Sequence, residues 1–208
     1  MNLELRKESF GQAYRPTWVD RFGVALSARA LRRWVPDVRG LRVGDFGCGY
    51  HATLSRAILS EAKSLVLSDV AISAEFKPGG PLAAKVQILE GDLLATVQKV
   101  PDQSLDLVLC VSVLEHVWQP EEALRAFRRG LAPGGTCLLN VPSWMGKRFL
   151  EFSAFKLGLS PAAEMDDHKM YYDPKDLWPL VVRAGFKPSR IRVFRHKFGL
   201  NTFCVARL

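Results

Sequence analysis

The sequence predicts an α/β three-layer sandwich whose seven-stranded sheet is mostly parallel and ends in an antiparallel hairpin. Three observations carry that prediction. Short apolar runs alternate with helically spaced segments up to Pro142, the pattern of βαβ units over a parallel sheet. The run Leu105–Val111 is nearly all apolar, as a strand buried on both faces must be. Two strand-like runs close the chain around a turn at Gly199, which suggests a hairpin.

The elements follow in order. Over 17–35, Trp18, Phe22, Ala25, Leu26, Leu31 and Trp34 recur at helical spacing. Pro36 and Gly40 punctuate the chain before a strand at Leu41–Phe46, a helix over 52–62 and a strand at Ser64–Ser68. A loop at Pro78-Gly79-Gly80-Pro81 precedes a third strand, Val86–Leu89, and Leu105–Val111 is the fourth. A helix at Glu121–Leu131 ends at Pro133-Gly134-Gly135, and Thr136–Val141 is the fifth strand. An aromatic-rich insertion over 143–172 leads to a helix at 174–184 and strands at 188–195 and 202–207.

The 208 residues suit a single domain. With 48% hydrophobic and 24% charged residues, the chain has enough apolar material for a core without staples. Cys48, Cys110, Cys137 and Cys204 form no CxxC pair, so reduced, mostly buried thiols are expected rather than disulfides or metal ligands. No metal site is assigned. No apolar run has the length of a signal peptide or of a membrane span, which predicts a cytoplasmic protein. The net charge of +8 is uneven, and residues 183–208 hold seven basic and no acidic side chains. Such an edge attracts nucleic acid, an anionic membrane or an anionic substrate, or is a solvated surface.

Chemistry is expected at the carboxyl ends of the strands, where open α/β sheets bind ligands. Val43-Gly44-Asp45-Phe46-Gly47-Cys48-Gly49 puts a glycine turn there, and a turn without Cβ atoms lets a ligand approach the backbone. Asp69 ends the second strand at a spacing that suits a carboxylate accepting ribose hydroxyls. Gly91-Asp92 follows the third strand.

These motifs resemble those of the class I S-adenosylmethionine-dependent methyltransferases, a family with a Rossmann-like fold. Val43–Gly49 is similar to their first motif. Leu105–Val117 resembles the fourth-strand motif of the branch that includes ubiquinone-pathway O-methyltransferases, and Leu131-Ala132-Pro133-Gly134-Gly135 their turn before the fifth strand. The likeness covers about 40–142, and Tyr172–Phe186 more loosely. It implies S-adenosylmethionine as cofactor, with S-adenosylhomocysteine as product.

It further implies that Gly47 and Gly49 pass along the methionine part and that Asp45 anchors its amino group. Asp69 would hold the ribose, Val70 the adenine face, Asp92 and Leu93 its polar edge, and Val111 the methionine end. The sequence departs from the family at His51, where a third glycine is common, and at Ser112, where an acid is frequent. Plainer roles stand beside these: the glycines closing a turn, Asp69 capping a helix, Asp92 a turn residue, Asp45 ordering its loop.

His168 is the candidate general base, because a histidine titrates near neutral pH; the alternative is a loop anchor. His116 is read as structural or cofactor-adjacent. Residues 144–159 are expected to form a substrate lid, with packing on the domain or contact with a membrane surface as alternatives. Tyr14 is a candidate for closing over the cofactor. The expected reaction is methyl transfer to an oxygen of a small-molecule acceptor. An RNA substrate and a catalytically silent scaffold are the alternatives. A nicotinamide-dependent dehydrogenase would want G-x-G-x-x-G, of which Gly47-Cys48-Gly49-Tyr50-His51-Ala52 supplies only the first two glycines.

Overall fold

The computed structural model describes residues 8–13, 17–149 and 167–208. Helix α1 spans Trp18–Trp34. It starts where Thr17 and Asp20 form a reciprocal capping box, and Arg32 and Arg33 in its last turn complement the helix dipole. The strands are β1 (Arg42–Phe46), β2 (Ser64–Asp69), β3 (Val86–Glu90), β4 (Leu105–Val111), β5 (Leu131–Pro142), β6 (Ile191–His196) and β7 (Asn201–Arg207). Further α-helices among the described residues are α2 (Thr53–Arg56), α3 (Leu93–Val97), α4 (Pro120–Gly130) and α5 (Pro174–Arg183).

The seven strands form one sheet in the order β3-β2-β1-β4-β5-β7-β6. β1 to β5 pair in parallel, and β7 runs antiparallel to both β5 and β6. Strand order reverses between β1 and β4, so a ligand crevice is expected at their carboxyl ends. Alternate side chains of the buried strands feed two cores. Val43, Leu67, Leu107, Leu109, Leu138 and Phe203 pack with Leu31 of α1 on one face. Phe46, Val108, Cys110 and Leu139 pack with Phe127 of α4 and Leu177 of α5 on the other.

Three boundaries differ from the sequence reading by more than two residues; one is the sixth strand, expected from 188, which begins at Ile191 after a 3₁₀ turn at Pro188–Arg190. The helix expected over 52–62 is confined to Thr53–Arg56. Beyond it Ala57 and Ile58 bond three residues back, to Leu54 and Ser55, so the chain tightens into turns instead of continuing. The fifth strand begins at Leu131 rather than Thr136. Leu131 pairs with Leu105 and Thr136 with Leu107, so Ala132–Gly135 bulges out of the strand instead of preceding it. All four cysteines are free thiols. No helix among the described residues is long and apolar enough to cross a membrane.

Candidate active site

At the end of β1 the chain turns through Gly47 and Gly49, both left-handed (φ 77° and 74°). A Cβ on Gly47 would stand 2.0 Å from Cγ2 of Val113, beyond β4. Glycine is therefore required by backbone conformation and by contact alike. Gly47 and Cys48 donate to the Ser68 carbonyl at 2.7 and 3.2 Å, which fastens the turn to the end of β2.

The Asp69 carboxylate organises this corner. Its Oδ2 accepts from the Gly49 amide at 2.7 Å and its Oδ1 from the Val70 amide at 2.8 Å. The Ser9 hydroxyl, itself buried, has two acceptors for its one proton, Oδ1 at 2.5 Å and the Ala71 carbonyl at 2.6 Å. The Ala71 amide donates to the same hydroxyl at 2.7 Å, and the Tyr50 amide donates to the Phe10 carbonyl at 2.9 Å. Residues 8–13 thus lie across the glycine turn. Sequence reasoning missed Ser9, which stands in no motif; Tyr14 lies outside the described residues.

Asp45 sits beneath the turn, 2% exposed, and accepts from the Ser55 hydroxyl at 2.6 Å. Burial pushes its carboxyl up to about 7, against the pull of that hydrogen bond. Asp92 is exposed and caps α3: its Oδ1 accepts from the Leu94 and Ala95 amides at 2.9 and 3.2 Å. Val70 and Leu93 are half-buried. Val111 ends β4, and Ser112 after it is left-handed (φ 57°), its amide donating to the Asn140 carbonyl at 2.7 Å.

A second cluster lies beyond β4 and β5. A 3₁₀ turn, Leu114–His116, follows β4, and residues 167–172 strap across it. The Lys169 and Met170 amides donate to the Glu115 carbonyl at 2.6 and 3.3 Å, and the Tyr172 amide to the Pro142 carbonyl at 3.0 Å. The strap brings together two histidines far apart in sequence, with ring centroids 4.7 Å apart. Nδ1 of His116 lies 2.8 Å from Asp167 Oδ2, and Nδ1 of His168 lies 2.9 Å from the Tyr171 hydroxyl. Glu115, His116 and His168 offer ligand atoms within 4.8 Å of one another, close enough to share a divalent cation. The sequence reading weighed the two histidines separately and did not anticipate this pairing. The helix that opens the expected lid covers 144–149, where Trp144 packs on Tyr171 at 5.6 Å; residues 150–166 lie outside the described set.

A family model described as "Methyltransferase domain" matches residues 44–139, from within β1 to within β5. The chain is 27% identical over 174 residues to a ubiquinone biosynthesis O-methyltransferase of Bordetella avium, covering 76% of this chain and 69% of that protein. It is 29% identical over 139 residues to a tRNA U34 carboxymethyltransferase of Desulfotalea psychrophila, covering 61% of this chain but 43% of that protein. Its fold is that of a SAM dependent methyltransferase from Archaeoglobus fulgidus, with a TM-score of 0.65, 16% identity and coverage of 96% of this chain and 98% of that one.

Proposed function

The chain belongs to the class I S-adenosylmethionine-dependent methyltransferases, and from that premise we propose that it methylates an oxygen of a small-molecule acceptor. The observation that carries the reading is the tie between the Gly47–Gly49 turn and Asp69 at the point where strand order reverses. These residues fit the cofactor. The turn that residues 8–13 cross carries no Cβ at Gly47 or Gly49, and a carboxylate stands one strand away where ribose hydroxyls need an acceptor.

Bound there, S-adenosylmethionine supplies a methyl group on a positively charged sulfur, which departs with the bonding electrons as a neutral thioether. The protein's task is to hold the acceptor oxygen in line and keep water out. Gly47 and Gly49 would line the methionine part, Asp69 would hold the ribose, Val70 would cover the adenine, and Asp92 with Leu93 would meet its edge. Val111 would offer its carbonyl at the methionine end, and Asp45 would anchor the amino group. His168 takes the acceptor's proton, oriented by the Tyr171 hydroxyl beside its Nδ1. The insertion 143–172 serves as the lid of a single domain.

The spacing of Glu115, His116 and His168 supports a second reading of the proton step, in which a shared cation acidifies the hydroxyl and His168 is a ligand. The test is methyl transfer from labelled S-adenosylmethionine into small-molecule and RNA fractions of a cell extract, with and without chelator. Label in the small molecules, unaffected by chelation and lost in His168→Ala, supports the first reading. Loss on chelation, restored by added metal, favours the second. Label in RNA alone would overturn the small-molecule assignment.

A further inference from the structure

Among the described residues β6 is the outermost strand of the sheet, with β7 on one side and no strand on the other. An edge strand presents a row of backbone N–H and C=O groups able to pair with a further strand. Here the edge lies in a groove between the end of α1 and α5. Arg33 and Trp34 of α1, Trp178 of α5 and residues 191–194 of β6 line it.

The two faces of the groove differ in chemistry. Side chains alternate along a strand, so Arg192 and Phe194 turn to one face of the sheet, Ile191 and Val193 to the other. Phe194 and Trp34 pack on the core beneath α1, their rings 5.7 Å apart, and the Arg192 guanidinium lies over Trp34 at 5.9 Å. Ile191 and Val193 pack in the core beneath α5, and Trp178 on that helix is 40% exposed. The α1 face is therefore aromatic and cationic, with Arg33 and Arg192 both exposed, while the α5 face is apolar. No acidic side chain lines either face among the described residues. The surrounding segment, 183–208, holds seven basic side chains and no acidic one.

We propose that this edge receives an extended peptide segment of a partner protein, paired as a further strand beside β6, whose side chains alternate acidic and apolar. An added strand turns successive side chains to opposite faces. Its carboxylates then meet Arg33 and Arg192, and its apolar side chains cover Trp178, Ile191 and Val193. A second copy of this chain fits less well, because a two-fold interface sets one patch against itself, and so arginine against arginine. A single-stranded nucleic acid would use the aromatic and cationic face but has no backbone to match the strand edge. The groove also stands apart from the cofactor turn. Both β5 and β6 run antiparallel to β7, so Ile191 starts β6 at the amino end of the parallel strands, opposite the glycine turn.

The test uses the full chain and a fluorescently labelled synthetic peptide of about eight residues, within the usual length of a strand. One peptide alternates glutamate and valine, and its counterpart alternates lysine and valine. By anisotropy the glutamate peptide is expected to bind at least about tenfold more tightly, and to slow hydrogen exchange of the 191–196 amides. Trp178→Ala and Arg192→Glu should each weaken it about tenfold or more without lowering the melting temperature. The double variant Arg33→Glu/Arg192→Glu should instead prefer the lysine peptide. No binding by protein with a native melting transition would mean that the arginines only guard the edge, and overturns the proposal. Equal affinity for the two peptides, or binding that leaves exchange in β6 unchanged, also overturns it. So does self-association abolished by Arg192→Glu, which assigns the edge to a second copy, or binding of oligouridylate in place of the peptide, which assigns the groove to nucleic acid.

Discussion

The hydroxyl of Ser9 stands 2.5 Å from Oδ1 of Asp69, the carboxylate assigned to the cofactor's ribose. A hydrogen bond to a charged group contributes roughly 1.5–3 kcal/mol, and a ribose hydroxyl seeking the same oxygen must displace it. Ser9→Ala is therefore expected to bind S-adenosylhomocysteine roughly tenfold more tightly by calorimetry. Weaker binding by the variant would mean that Ser9 and the ribose share the carboxylate.

Asp45 links cofactor binding to pH. Its folded-state pKa of about 7 lies above the ordinary carboxylate value of 3.8, so folding takes up a proton between those values. The stability it contributes is present in full below 3.8 and is lost as pH rises to about 7. Across that window the melting temperature of the native protein should fall relative to that of Asp45→Asn, which titrates no proton there. A cationic amino group set against Asp45 favours its charged form, so cofactor binding near pH 6 should release a proton. Calorimetry in buffers of different ionisation enthalpy reads that release, which Asp45→Asn should abolish.

Gly47 tolerates no side chain. A Cβ there meets Val113 at 2.0 Å and forces a left-handed φ on a non-glycine residue. Gly47→Ala should cost about 2–4 kcal/mol of stability from overpacking and backbone strain together. Adding Val113→Ala should restore the packing part only, which denaturant titration of both variants resolves.

His168 and His116 differ in their partners, and their variants should differ accordingly. His168→Ala, removing the proposed base, should lower kcat roughly 10²–10⁴-fold with little change in KM. His116→Ala removes one partner of Asp167, another being Lys169, and should act mainly by loosening the strap over Glu115. A raised KM with a smaller loss of kcat is its expected signature in steady-state kinetics.

The parallel half of the sheet was legible in the sequence because β1, β2 and β4 are buried on both faces and read as apolar runs that end in turn or polar residues. The bounds of β4, 105–111, are the observed ones. The start of β5 was misplaced because Pro133-Gly134-Gly135 looks like a turn, and only pairing of Leu131 with Leu105 reveals a strand interrupted by a bulge. On the site, the glycines and Asp69 were legible because a cofactor reached through backbone needs those residue types at strand ends. Asp92 carried no signal that would separate a capping residue from a binding one. Ser9 and the His116–His168 contact were invisible for a common reason. Each joins segments distant in the chain, and neither depends on local spacing.

Calorimetric titration of the purified protein with S-adenosylmethionine, beside Asp69→Ala, tests the central claim most directly. The account predicts binding with a dissociation constant in the range of about 1 μM to 1 mM usual for enzyme substrates, lost in a variant that remains folded. No heat from folded native protein, or equal affinity in Asp69→Ala, would contradict it.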